Sequence, residues 1–354
     1  MLTRPDSSVS PQEQAVTRRW RTAFLGFIVF MLAFGALLSQ SPSSAQGAPP
    51  ALVVDRIEGA DRFEVAVNIS LQAYSSGSST AFITTGANFP DALSAVPAAV
   101  KLGGPLLLTQ TDTLPPAVLA EIKRLGATDL VIVGGPNSVS DDVKAALLSE
   151  IPQASVTRIS GADRYEASRN LAYFSGASAA SVAYVATGAN FPDALSAGPA
   201  AGQAGAAVVL VNGAAPTLDA PSAQILKTDL SVPTVNIAGG PNSVSTGIEA
   251  ELAQDQTVHR FGGADRFAAS LAINADAFPT AGRVFLATGY KFPDALAGGA
   301  FAGSVGAPLF VVPSDCVPQG VLDYIAAKNV HRVTLLGGPA SLTPDVAALK
   351  PCAS

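Results

Sequence analysis

Arg56-Ile57-Glu58-Gly59-Ala60-Asp61-Arg62-Phe63 returns as Arg158-Ile159-Ser160-Gly161-Ala162-Asp163-Arg164-Tyr165, and again as Arg260-Phe261-Gly262-Gly263-Ala264-Asp265-Arg266-Phe267. Both intervals are 102 residues. A period of that length matches a whole domain and is far longer than a solenoid turn, so each copy can own a core. Two further signatures follow in every copy. TGANFPDAL runs from Thr85 to Leu93 and from Thr187 to Leu195, with TGYKFPDAL from Thr288 to Leu296. GGPNSVS starts at Gly134 and Gly239, and GGPASLT at Gly337. The repeats divide the chain into a leader at 1–45 and modules at 46–153, 154–255 and 256–354.

Within a copy, short apolar runs alternate with helical patterns, the order of a parallel sheet with crossover helices. In copy one the strands fall at Ala81 to Thr84, Leu106 to Thr109 and Leu130 to Val133. Helices fall at Arg62 to about Tyr74, Pro90 to Leu102, Pro115 to Leu125 and Asp141 to Leu148. The fold class is therefore α/β: three tandem Rossmann-like modules with parallel sheets.

Composition agrees. Of 354 residues, 48% are hydrophobic and 14% charged, enough apolar surface for real cores and too little charge for disorder. The first 45 residues read as a secretory signal: Arg18, Arg19 and Arg21, then an uncharged run from Phe24 to Leu38, then Ser43-Ser44-Ala45. That run is short of the ~20 residues needed to span a bilayer, which favours cleavage over a retained anchor and confines membrane contact to the leader. The formal charge of −6 becomes about −8 once the leader, with four Arg and two acids, is removed. An acidic body requires any grip on an anion to come from local basic sites; no nucleic-acid partner is expected. Cys316 and Cys352 have no metal-ligand spacing and should pair outside the cell, closing a 37-residue segment. No metal or cofactor motif occurs.

Asp61 and Asp163 stand three residues before Glu64 and Glu166, the spacing of a capping box; Asp265 is a simple cap, with Ala268 in the Glu place. Arg62, Arg164 and Arg266 follow the caps, where the positive helix end disfavours a cation. With Arg56, Arg158 and Arg260 they make six of the ten arginines after the leader. Such recurring guanidinium groups either pair with a carboxylate, that of FPDAL or of a neighbouring module, or contact a ligand, or both. Pro90, Pro192 and Pro293 fit first helical positions, which places Asp91, Asp193 and Asp294 in first turns. Asn88, Asn190 and Lys291 lie at the carboxyl end of a strand, the edge where open α/β sheets bind ligands. The Gly-Gly-Pro turns, with Ser140, Ser245 and Thr343 as N-caps, are candidate anion cradles.

The three signatures, in this order and number, resemble the cell wall binding repeat 2 family over about Arg56 to Leu349. The resemblance implies Rossmann-like or toprim-like modules packed as a pseudo-threefold trimer within one monomer, secreted and attached noncovalently to an anionic secondary polymer of a Gram-positive wall. Pro105-Leu106-Leu107-Leu108-Thr109 is similar to an anchoring segment of that family; Ala207 to Val211 and Pro308 to Val312 depart from it. With three modules filling the chain after the leader, the anchor is expected to be the whole protein. The polymer-binding candidates are Arg56, Arg62, Arg158, Arg164, Arg260, Arg266, Asn88, Asn190 and Lys291. A hydrolase is the alternative, but His259 and His331 do not recur between copies and no nucleophile arrangement appears. A surface-lattice or adhesive role is the other.

Overall fold

A computed structural model describes residues 51–353; the leader and its cleavage site lie outside the described residues. The first copy contributes β1 (Val53–Ile57), α1 (Arg62–Ala73), β2 (Thr80–Thr85), α2 (Ala95–Leu102), β3 (Leu106–Thr109), α3 (Pro116–Leu125), β4 (Asp129–Val133) and α4 (Asp141–Glu150). The second gives β5 (Ser155–Ile159), α5 (Arg164–Phe174), β6 (Val182–Thr187), α6 (Pro192–Gln203), β7 (Val208–Val211), α7 (Ala220–Gln224), β8 (Thr234–Ala238) and α8 (Thr246–Leu252). The third gives β9 (Thr257–Phe261), α9 (Arg266–Ala277), β10 (Arg283–Thr288), α10 (Pro293–Ser304), β11 (Leu309–Val312), α11 (Gln319–Ala327), β12 (Arg332–Leu336) and α12 (Pro344–Ala347).

These strands form three sheets, each of four parallel strands, ordered β3-β2-β4-β5, β7-β6-β8-β9 and β11-β10-β12-β1. The fourth strand of every sheet comes from another copy. β5 pairs with β4 from Asp129↔Ser155 to Val133↔Ile159, and β9 pairs with β8. β1 closes the ring on β12, Val53↔Arg332 to Ile57↔Leu336. The sheets thus cross the repeat limits near residues 153 and 255.

Both faces of each sheet are buried, which explains why the central strands read as continuous apolar runs. Alternation along the strand decides which core each side chain joins. Phe82, Leu106 and Leu108 face a core shared by all three copies, together with Tyr184, Leu210, Phe285 and Val311. Ile83, Leu107 and Ile132 face an outer core private to the first sheet; the other sheets have outer cores of their own. The shared core is filled by α2, α6 and α10, which pack on one another. Small residues permit that approach: a Cβ at Gly202 would stand 2.9 Å from Val100, and one at Gly303 only 2.5 Å from Val100. At one end of these helices Phe89, Phe191 and Phe292 meet edge to face, with ring centroids 5.4, 5.8 and 6.0 Å apart. Symmetry-equivalent residues can all touch one another only on a common axis, so the triad marks a pseudo-threefold axis.

One helix start differs from the sequence expectation. Pro192 and Pro293 open α6 and α10, whereas Pro90 precedes α2 by a turn. There the chain closes Ala92 N–H on Phe89 O and Ala95 N–H on Ala92 O, an i+3 spacing, and regular helix begins at Ala95.

Candidate functional site: clefts at the junctions between copies

In each sheet the chain leaves one central strand toward one edge and its neighbour toward the other. After β2 it runs to β3, and after β4 to β5, so a crevice opens beyond the carboxyl ends of β2 and β4. The strand from the next copy completes it, because β5 delivers Gly161 to Arg164 to its rim. The first cleft therefore sets Asn88, Asp91 and Ser138 of one copy against Asp163 and Arg164 of the next, around a cavity of about 380 Å³. The second sets Asn190, Asp193 and Ser243 against Asp265 and Arg266, around about 210 Å³. At the third junction Ser341 Oγ donates to Asp294 Oδ2 at 3.0 Å, and Arg62 and Lys291 both act electrostatically on that carboxyl.

The arginines after the caps are oriented by their own copies. Arg62 donates to Gly86 O, Arg164 to Gly188 O at 2.5 Å, and Arg266 to Gly289 O at 2.7 Å. Arg164 also lies over the Phe89 ring at 5.8 Å. Among the described residues none of the three makes a carboxylate ion pair within 4.0 Å, so the pairing that would have explained them structurally is not formed. One nitrogen is fixed on a carbonyl, and the remaining donors stay available to the cleft.

The FPDAL aspartates sit deeper. Ser138 Oγ donates to Asp91 Oδ2 at 2.6 Å. Gly134, Gly239 and Gly337 have φ of 115°, 110° and 97°. A Cβ on them would stand 2.9, 2.4 and 2.2 Å from Asp91, Asp193 and Asp294 Oδ2, so glycine serves both the turn and the carboxylate's approach. Burial pushes Asp193 and Asp294 above the usual carboxylate range, opposed first by the hydroxyls of Ser243 and Ser341, then by Arg266 and Arg62 respectively. The Gly-Gly-Pro turn is not an open anion cradle. Gly134 N–H bonds Ile159 O, and Ser138 and Val139 N–H both bond Gly135 O, with the same pattern in the other copies. Its amides are largely committed, and its concave side faces the protein's own carboxylate.

Arg56, Arg158 and Arg260 fall elsewhere. Arg158 donates to Gly134 O (2.8 Å), Val139 O (2.7 Å) and Asp141 Oδ1 (3.0 Å). Arg56 donates to Gly337 O and Leu342 O; Arg260 to Gly239 O and to Glu249 at 2.9 Å. Each guanidinium staples the Gly-Gly-Pro turn of the preceding copy in the ring. Asp61, Asp163 and Asp265 cap α1, α5 and α9 through two amides each. Glu64 and Glu166 reach back to Ala60 and Ala162 N–H, one residue before the cap. Ser140 and Ser245 cap α4 and α8, but Thr343 makes no side-chain cap bond and its buried Oγ1 has no hydrogen-bond partner among the described residues. Leu106 to Thr109 is a fully buried edge strand. Cys316 and Cys352 are joined, and the Cys352 N–H bonds Val317 O.

Sequence reading grouped all six signature arginines and assigned no role to the phenylalanine of FPDAL. The structure splits the arginines into cleft and staple sets, and it puts Phe89, Phe191 and Phe292 on the axis between the clefts.

A family model described as Cell wall binding domain 2 (CWB2) matches residues 56–144, 158–249 and 260–347. The amidase enhancer of Bacillus subtilis (strain 168) is 30% identical over 295 residues, 83% of this chain and 39% of that protein. The N-acetylmuramoyl-L-alanine amidase LytC of the same organism is 27% identical over 294 residues, 83% of this chain and 57% of its own. The chain therefore spans less than two thirds of either relative. Among solved structures, Cwp6 from Clostridium difficile superposes with a TM-score of 0.77 at 26% identity, covering 87% of this chain and 50% of that one. Cwp8 from Clostridium difficile gives 0.76 at 25%, covering 84% and 51%. With three domains matched over most of its length, the chain belongs to the cell wall binding domain 2 family.

Proposed function

We propose that this cell-wall-binding protein holds its wall through the three junction clefts, and that the ligand is an anionic secondary polymer of a Gram-positive wall. The observation that carries the proposal is the recurrence of one arrangement at each junction: an arginine with donors to spare, a serine-held aspartate, and an exposed Asn88, Asn190 or Lys291. In a chain of formal charge −6, guanidinium groups without carboxylate partners are local attractors for phosphate or carboxylate. Arg56, Arg158 and Arg260 hold the clefts together and do not contact the polymer.

Three weak sites on one body raise avidity by on the order of 10²-fold when all engage. The protein acts outside the membrane after its leader is removed, as a monomer whose role is attachment, with no catalytic step. The chain should co-sediment with de-proteinated Gram-positive walls, release as salt rises, and fail to bind walls stripped of secondary polymer. Replacing Arg62, Arg164 and Arg266 together by Ala should abolish retention by a chain that is still folded at about 25 °C, with a midpoint lowered by the loss of the three bonds to Gly86, Gly188 and Gly289 O. Equal retention on stripped walls would refute the polymer assignment, and turnover of wall polymer by the purified chain would refute a purely binding role.

A further inference from the structure

Three of the places where the third copy departs from the other two meet in one groove. Tyr290 stands where the first two copies have Ala87 and Ala189. Ala268 replaces Glu64 and Glu166, so the carboxylate that those copies fold onto Ala60 and Ala162 N–H is missing. The Cys316–Cys352 disulfide has no counterpart in the other copies. The groove between them measures about 540 Å³. Tyr290 is 56% exposed and braced edge-on against Phe267, centroids 5.7 Å apart at 84°. Leu271, Pro313, Pro318 and the disulfide form apolar walls. A Cβ at Gly320 would stand 2.4 Å from Leu271 Cδ2, so glycine lets α11 come this near.

The polar groups of the groove are carboxylates. Asp265 lines both the groove and the second cleft; its two cap bonds use Oδ1, leaving Oδ2 without a hydrogen bond among the described residues. Asp315 is exposed on the same lining. Arg266, which lines the second cleft, lies over the Tyr290 ring at 5.9 Å, so groove and cleft adjoin. An exposed aromatic face beside apolar walls suits a ligand with a flat C–H face, and two carboxylates suit hydroxyl donors while repelling an anion. The geometry points to a subsite for a neutral pyranose ring on Tyr290, placed to take the sugar next to the anionic group held in the second cleft. The inference rests on the polymer reading of the clefts only for that last relation.

The test labels the full chain with ¹³C-tyrosine, six rings in all, and assigns Tyr290 as the signal lost in Tyr290→Ala, a change to the residue found in the other copies. N-acetylglucosamine, glucose and galactose are titrated separately, and inorganic phosphate is titrated against the arginine side chains. At least one sugar should move the Tyr290 resonance saturably at up to about 50 mM, the range of a single weak subsite. Ala268→Glu restores the residue of the other copies, whose carboxylate accepts from the equivalent N–H, here that of Ala264; its side chain fills space on the groove lining and should weaken the sugar response about tenfold or more. Tyr290→Ala should lower wall affinity about tenfold and leave the phosphate response of Arg266 intact. No Tyr290 shift with any of the three sugars, or a shift unaffected by Ala268→Glu, overturns the subsite. A sugar response that persists when phosphate moves no arginine upholds the subsite and counts against the clefts instead.

Discussion

Arg158 and Arg164 are six residues apart in one signature, yet the structure predicts opposite phenotypes for their loss. Arg158 is 14% exposed and makes two short bonds, to Gly134 O at 2.8 Å and Val139 O at 2.7 Å. A bond from a charged donor is worth ~1.5–3 kcal/mol, so Arg158→Met should cost about 3–5 kcal/mol after the apolar stem is partly replaced. The Asp141 contact adds little, since that carboxylate is 76% exposed. At ~2–4 °C per kcal/mol for a domain of this size class, the midpoint should fall by about 6–20 °C. Below its own midpoint the variant should still bind walls, because Arg158 lines no cleft. Arg164→Ala should show the reverse emphasis: it gives up one such bond, to Gly188 O, so its midpoint should fall by less than that of Arg158→Met while binding is lost. Calorimetry and wall co-sedimentation on both variants decide the matter. A stable Arg158→Met that no longer binds, or an Arg164→Ala that loses more stability than Arg158→Met and still binds, would refute the division into staples and contacts.

The axis triad gives a second expectation. Phe191→Ala removes two edge-to-face pairs and leaves a cavity where three copies meet, and it should cost about 2–4 kcal/mol by denaturant unfolding; adding Phe89→Ala should then cost less than it does alone. For pH, the Asp193 and Asp294 carboxyls are raised by burial, so their contribution is full in acid and is lost as pH rises through the raised values. Replacing both by Asn, which still accepts the serine hydroxyl, should therefore stabilise the chain near about pH 7, with the gain vanishing toward about pH 4; an Asn pair less stable than wild type at neutral pH would contradict this sign. Finally, a soluble polymer fragment too short to span two clefts should show Asn190→Ala and Arg266→Ala to be strongly non-additive. They belong to different copies but one cleft. Lys291→Ala and Arg266→Ala, from one copy but different clefts, should add within about 0.5 kcal/mol.

The repeat, the parallel α/β layers and the buried central strands were legible because each depends on residues near one another in sequence. Leu106-Leu107-Leu108 reads as a strand buried on both faces whatever surrounds it. The fourth strands were harder to see. Ser155-Val156-Thr157-Arg158-Ile159 alternates at a sheet edge and is half exposed, so its apolar signal is weak. Its pairing with Asp129 to Val133 of the previous copy also depends on a closed ring that periodicity within one copy does not encode. For the same reason the arginines could not be sorted. A staple across a junction and a contact into a cleft present the same residue type at fixed spacing, and only the position of Gly134 O relative to Arg158 separates them. The triad had a usable signal: an aromatic residue at the same place in all three copies, directly before the Pro-Asp that opens each cleft. Three equivalent apolar side chains at one position are what a closed threefold arrangement places on its axis.

Strand exchange explains why the sites lie where they do. A sheet built wholly from one copy would end at β4, and its crevice would be bounded on one side only. Lending the next copy's strand carries Gly-Ala-Asp-Arg to the open side, because that signature follows the lent strand directly and its cap must begin a helix there. The cleft is therefore a consequence of the exchange, and no copy holds a complete one. Three copies in an open chain would make two clefts, with Arg62 facing solvent and Asp294 facing nothing. Pairing β1 with β12 brings Arg62 toward Asp294 at the third junction, and it is the same pairing that lets Arg56 clamp the turn at Gly337. Number of copies and number of junctions agree only because the ring is closed, so on the proposed function the device that stabilises the fold would also set the valency.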